Sequence, residues 1–190
     1  MMLTPRFEEA LVYAARVHAA QARKVTGVPY ISHLLAVAGI ALEYGAGEDG
    51  AIAALLHDAP EDQGGRGRLE DIRHRFGDAV AAIVEACTDT FETPKPPWRA
   101  RKEAYIAGVV HKDPESRLVS AADKLANALT IISSLSREGD RLWTFFKGGK
   151  EGTLWYYRAL VEAYRAAGTS PIVEDLDRVV GEMERLAGGG

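Results

Sequence analysis

Residues 49–59 read Asp-Gly-Ala-Ile-Ala-Ala-Leu-Leu-His-Asp-Ala, an almost wholly apolar segment closing on His57-Asp58 and followed by Pro60-Glu61-Asp62. A helix that is apolar all round has no face to offer water, so it belongs in the middle of a fold. It is also far shorter than the ~20 apolar residues that span a bilayer, so protein must cover it. Pro60 lacks a backbone donor and clashes with the turn before it, which predicts a bend near His57-Asp58. One histidine and three carboxylates are thereby delivered to the end of a buried helix. Unpaired burial of such a group is strongly unfavourable. A divalent cation removes the penalty, because imidazole nitrogen and carboxylate oxygen suit Mn²⁺, Fe²⁺ or Zn²⁺. The competing reading is a helix terminus that simply opens to solvent.

Apolar spacing is helical through most of the chain. Phe7, Leu11, Ala14, Ala15 and Val17 recur at helical steps behind Pro5, predicting a helix from about Pro5 to Arg23. Residues 24–30 hold Gly27 and Pro29 and read as a loop. Ser32 is a candidate cap for a helix carrying His33, Leu34, Val37, Ile40 and Ala41, closed by Gly45. Gly64-Gly65-Arg66-Gly67 reads as a flexible loop before a helix over 69–76, which Gly77 ends; Asp78 would cap the next helix, to about Asp89. Residues 90–97, with Pro94, Pro96 and Pro97, form the longest irregular connection, and helices are expected at 98–110, 115–136, 140–147, 150–167 and 172–187. The expectation is an all-α fold in a single domain over residues 1–190, with a frayed Gly188-Gly189-Gly190.

Charge and cysteine content narrow the function classes. A net charge of −4 gives no long-range attraction to nucleic acid, although basic residues can still converge on a small phosphorylated ligand. The lone Cys87 cannot form an internal disulfide, which suits a reducing cytoplasm. The N-terminus, Met1-Met2-Leu3-Thr4-Pro5-Arg6, lacks the pattern of a signal peptide.

Two further segments bear on the metal reading. Asp123, in Ala121-Ala122-Asp123-Lys124-Leu125-Ala126-Asn127, sits in a helix expected to be largely buried, and Asn127 shares its face four residues on. A structural pair with Lys124 is an open alternative for that carboxylate. His33, behind Pro29-Tyr30-Ile31, by itself reads more readily as a cap or core residue than as a ligand.

Taken in order, Arg23-Lys24, Pro29-Tyr30-Ile31-Ser32-His33, His57-Asp58-x-x-Glu61-Asp62 and Asp123-Lys124-Leu125-x-Asn127 resemble the HD hydrolase domain of RelA/SpoT-type alarmone enzymes. Phe76-Gly77-Asp78-Ala79-Val80 and Cys87-Thr88-Asp89 fit the same pattern, which covers about residues 5–165. With no synthetase domain expected, the stand-alone small alarmone hydrolases are the most similar kind. The resemblance implies a compact multi-helix HD-domain bundle around a buried mononuclear metal site. It implies His33, His57, Asp58 and Asp123 as ligands, usually of Mn²⁺, with Glu61 and Asp62 activating the attacking water. It further implies Arg23, Lys24 and Asn127 as nucleotide contacts, and more loosely Lys95, Lys102, Lys150 and Tyr156. The implied activity is release of pyrophosphate from the 3′ position of (p)ppGpp.

This chain departs from the family at two places. Ala126 stands where relatives often carry histidine, which bears on substrate fit, and Leu34 replaces the usual proline after His33. Lys147–Tyr157 resembles a bacterial subgroup of HD proteins. Two other functions remain open: hydrolysis of another nucleotide, such as a nucleoside monophosphate or the 2′-phosphate of NADPH, and a non-catalytic nucleotide-binding module. Blander roles are expected elsewhere. His18 reads as a core or supporting residue, His74 as part of a solvated face, His111 as a complement to a helix end, and Cys87 as a small buried residue. Trp143, Phe145 and Phe146 read as core or pocket wall.

Overall fold

The computed structural model describes residues 2–188. Ten α-helices follow one another: α1 Pro5–Val17, α2 Ile31–Glu43, α3 Glu48–Leu56, α4 Ala59–Asp62, α5 Gly65–Phe76, α6 Asp78–Cys87, α7 Trp98–Gly108, α8 Pro114–Glu138, α9 Gly149–Ala167 and α10 Pro171–Gly188. Short 3₁₀ turns lie at Val109–His111 and Gly139–Phe145. Among the described residues the only β pairing is an isolated antiparallel bridge between Ala22 and Pro29.

Helix α3 occupies the centre, as its composition requires. Ala51 through Leu56 have no exposed surface, and α1, α2, α6 and α8 all pack around them. Six consecutive residues could not be covered on every side by one neighbour; four helices surround them. Helix α8, 25 residues long, is the second axis, lying against α2, α3, α6 and α10. Asp113 caps it, its side chain accepting from the backbone N–H groups of Glu115 and Ser116. By length and composition, residues 114–145 would suffice to cross a bilayer, but most of that stretch is buried here within the bundle. One hydrophobic core joins residues from α1 through α10.

Local expectations fail in instructive places. The first helix stops at Val17 instead of running to Arg23. Backbone bonds from Arg23 N to Val28 O and from Tyr30 N to Gln21 O, both 2.9 Å, draw residues 21–30 into a small looped-back arm. Ser32 does not cap α2; Tyr30 precedes the helix, and the Ser32 hydroxyl donates to Pro29 O. Helix α5 begins at Gly65, so Gly65-Arg66-Gly67 form its first turn, anchored by Arg68 Nε donating to Gln63 O at 2.9 Å. Asp78 lies inside α6 and pairs with Arg73 at 2.9 Å instead of capping. Residues 139–145 are 3₁₀, not α. The expected bend is present: α3 ends at Leu56, and α4 restarts at Ala59 with Pro60 in its first turn, where a missing N–H is harmless. Gly45 and Gly77 end their helices with φ of +90° and +94°, conformations that a Cβ would strain.

Candidate metal centre

The bend between α3 and α4 turns the side chains of His57 and Asp58 toward the same side. His33 reaches that point from the first turn of α2, and Asp123 from the middle of α8. His33 Nε2 lies 3.5 Å from Asp58 Oδ2 and 3.2 Å from Asp123 Oδ1. His57 Nε2 lies 3.1 Å from Asp58 Oδ2 and 3.6 Å from Asp123 Oδ1. His33, His57 and Asp58 each offer a ligand atom within 4.8 Å of the others. Ligands about 2.1 Å from one ion stand roughly 3.0–3.4 Å apart at octahedral or tetrahedral angles, so these separations fit a shared cation.

The unsatisfied atoms point the same way. The Nε2 atoms of His33 and His57 are buried with no hydrogen-bond partner among the described residues. His57 Nδ1 is 2.9 Å from Ala54 O, which fixes the proton on Nδ1 and leaves the Nε2 lone pair facing the carboxylates. Lone pair against carboxylate is repulsive unless a proton or a cation lies between them. Burial is the largest influence on His57 and disfavours its charged form. The Asp58 and Asp123 carboxylates outweigh it and hold the imidazole well above the usual histidine range. Burial likewise opposes ionisation of Asp58 and Asp123, yet their basic neighbours hold both well below the usual carboxylate range, His57 foremost for Asp58 and Lys124 for Asp123. The donor set thus fits a divalent ion.

A layer of hydrogen bonds fixes these side chains. Tyr30 donates its hydroxyl to Asp58 Oδ2 at 2.6 Å. Asn127 Nδ2 donates to Asp123 Oδ1 at 2.5 Å, and Lys124 Nζ to Asp123 Oδ2 at 2.6 Å. The structural pair with Lys124 and the inward-facing oxygen therefore coexist on one carboxylate. Arg23 Nη2 donates to Asn127 Oδ1 at 2.7 Å, tying the looped-back arm to α8.

Glu61 and Asp62 follow on α4. Lys95 Nζ donates to Glu61 Oε1 at 2.7 Å, and the Asp89 backbone N–H to Glu61 Oε2 at 3.3 Å. Asp62 Oδ2 accepts from Gln21 Nε2 at 2.7 Å. Burial, then the nearby Asp58 charge, pushes the Asp62 carboxyl up.

Beside the cluster opens a cleft of about 460 Å³, with Arg23, His33, Ala126 and Thr130 among its walls. The Arg23 guanidinium also lies 5.7 Å from the centre of the Tyr30 ring. On the opposite flank Lys102 Nζ sits 4.9 Å from the centre of the Tyr156 ring and 3.4 Å from Asp89. Burial, aided by Lys124, brings the Lys102 ammonium down to about 8. The Tyr156 hydroxyl is buried without a hydrogen-bond partner among the described residues. Lys24 is exposed on the arm, and Lys150 bonds Asp140 at 3.1 Å. Among the described residues, no hydrogen bond or ion pair links either lysine to the cluster.

His18 and Cys87 are buried, His74 is exposed, Trp143 is core, and Phe145 is exposed. Two contributors escaped the reading of the sequence. Tyr30 stood within a quoted motif without an assigned role, and a tyrosine three residues before a candidate ligand was the available signal. Gln21 carried none, because it fell inside a helix expected to continue.

An all-helical bundle that brings paired histidines and aspartates to one internal point, with His57-Asp58 at a broken helix end, defines a class of protein. The model of the HD domain matches residues 10–154, and the chain belongs to that family. Among its relatives, guanosine-3′,5′-bis(diphosphate) 3′-pyrophosphohydrolase MESH1 of Danio rerio is 36% identical over 134 residues, covering 69% of this chain and 71% of that protein. The Aquifex aeolicus protein named guanosine-3′,5′-bis(diphosphate) 3′-pyrophosphohydrolase is 36% identical over 124 residues, 65% of this chain. This chain spans only 17% of that longer protein. A solved structure of a metazoan ortholog of SpoT, described as hydrolysing ppGpp, superposes with a TM-score of 0.77 at 26% identity, covering 94% of this chain and 96% of that one.

Proposed function

We propose that this chain is a metal-dependent hydrolase that removes the 3′-pyrophosphate of (p)ppGpp, yielding pyrophosphate and GDP or GTP. The observation that carries the hydrolase reading is the convergence of His33, His57, Asp58 and Asp123, with two orphaned imidazole nitrogens facing two carboxylates. The substrate follows from the names of the Danio and Aquifex relatives. Those four side chains would hold one divalent cation, with Mn²⁺ as the favoured ion. When bound, such an ion lowers the pKa of water and polarises a phosphoryl oxygen.

The remaining work falls to the chain itself. Glu61 accepts the proton of the attacking water, and Asp62 orients that water or Glu61; general-base help of this kind contributes about 10²–10⁴-fold. Glu61 Oε1 is held by Lys95 here. An arriving phosphate competes for that ammonium and frees the carboxylate. Lys95, Lys102 and Arg23 then meet the charge that spreads over the phosphoryl oxygens. Arg23 is braced by Asn127, so its planar guanidinium is positioned before the nucleotide enters. Lys24 and Lys150 are assigned outer contacts, and Tyr156 an inner one beside Lys102. The single, buried Cys87 is compatible with a reducing cytoplasmic setting.

A second substrate class rests on Ala126. It lines the cleft where relatives often carry histidine, leaving room for a different base or sugar substituent. Incubating Mn²⁺-loaded protein with ppGpp and separating the products by ion exchange tests the first reading. Equimolar pyrophosphate and GDP are expected. Activity confined to monophosphates or to NADPH would replace ppGpp with those substrates, and tight ppGpp binding without products would identify a sensing module.

A further inference from the structure

A chain of polar contacts reaches Asp62 from the buried His18 through Gln21, the first residue of the looped-back arm. Gln21 Nε2 donates to Asp62 Oδ2 at 2.7 Å, and among the described residues no other side chain hydrogen-bonds that carboxylate. The opposite end of the same amide is fixed twice. Gln63 Nε2 donates to Gln21 Oε1 at 2.8 Å, and His18 Nδ1 lies 2.7 Å from the same oxygen. A carboxylate only accepts, so the amide must turn its nitrogen to Asp62 and its oxygen to His18, which makes Nδ1 the protonated nitrogen. His18 cannot easily swing away. It is 3% exposed, and its ring stacks on Tyr30 at 5.1 Å with 18° between the planes.

The backbone is held as firmly. Gln21 N donates to His18 O at 3.0 Å, and Gln21 O accepts from Tyr30 N at 2.9 Å. The end of α1 at Val17 thereby acquires a purpose. Had the helix continued to Arg23, residue 21 would take its place in the helical register, and the bond that sets its orientation, from Tyr30 N, would be lost.

We propose that Gln21, locked by His18 and Gln63, is a positioning residue that aims the Asp62 carboxylate at the reaction site. This rests on the hydrolase reading of Glu61 and Asp62 given above.

The test compares Gln21→Leu, His18→Leu and His18→Asn with the unaltered metal-loaded protein, measuring kcat, KM, bound metal and the pH dependence of kcat. Gln21→Leu is expected to lower kcat about 10- to 100-fold, the usual effect of removing a supporting hydrogen bond. KM and metal content should stay unchanged, and the acidic limb of the profile should move up. His18→Leu should behave alike, while His18→Asn, which keeps a donor near Nδ1, should recover most of kcat. Unchanged kcat and pH limb in Gln21→Leu would overturn the proposal, as would a fall in kcat matched by loss of metal. Crystal structures of the zinc-loaded proteins separate this from a failure of the substrate assignment. If the unaltered protein does not cleave ppGpp, the Asp62 carboxylate should still leave its present orientation in Gln21→Leu. An unmoved Asp62 side chain in that variant would defeat the proposal.

Discussion

The buried cluster of histidines and aspartates and the basic rim around it are built to different standards. Within the cluster, Asp123 is held by Asn127 and Lys124, Asp58 by Tyr30, and His57 by the Ala54 carbonyl. The His33 and His57 side chains are 3% and 2% exposed, and that of Asp123 is 9% exposed. At the rim, Lys95 is 41% exposed and rests on Glu61, Lys150 is 35% exposed and rests on Asp140, and Lys24 projects from the arm. A ligand that must meet an ion at fixed distance needs its rotamer decided beforehand. A lysine that neutralises a mobile phosphate works as a charge on a flexible stem. The difference separates residues whose loss should be catastrophic from those whose loss should be graded.

Substitutions can break or sharpen that contrast. The largest effect is expected from Asp123→Ala, which removes a proposed ligand and leaves Lys124 charged and unpaired in the interior. Metal binding and turnover should vanish, and denaturant unfolding should show a loss of about 3–5 kcal/mol. Tyr30→Phe removes one support and no ligand. Metal affinity, measured by competition with a chelating dye, should fall about 10- to 100-fold while the fold is retained. At the rim, Lys150→Ala should leave kcat unchanged and raise KM by no more than about 3-fold, because an exposed ion pair contributes little. A large drop in kcat for Lys150→Ala, with stability intact, would move that residue from the rim to the site.

Much of the cluster was legible in the sequence because three of its four members sit at local anomalies. His57 and Asp58 end an apolar helix where Pro60 forces a bend, and Asp123 interrupts a run of small buried residues. His33 had no such mark and became a candidate only through the order of motifs. The rim was less legible, since lysines on surfaces carry no periodic signal. Gln21 was hidden for another reason: helical periodicity in α1 continues past the point where pairing between residues 21–30 takes the backbone away. Backbone bonds between the two sides of a loop compete with helix propagation, and local pattern does not reveal which will prevail.

Sequence by itself determined that the chain is helical, that the Ala51–Leu56 stretch lies at its centre, and that the backbone turns at His57-Asp58, since burial period and proline geometry act within a few residues. Tertiary structure alone decided which distant groups meet. Arg23 and Asn127 are 104 positions apart, and Gln21 and Asp62 are 41 apart, yet both pairs are bonded at 2.7 Å. Such contacts depend on the relative placement of α2, α3, α4, α8 and the arm, which is set by packing of the whole core and is written in no single segment.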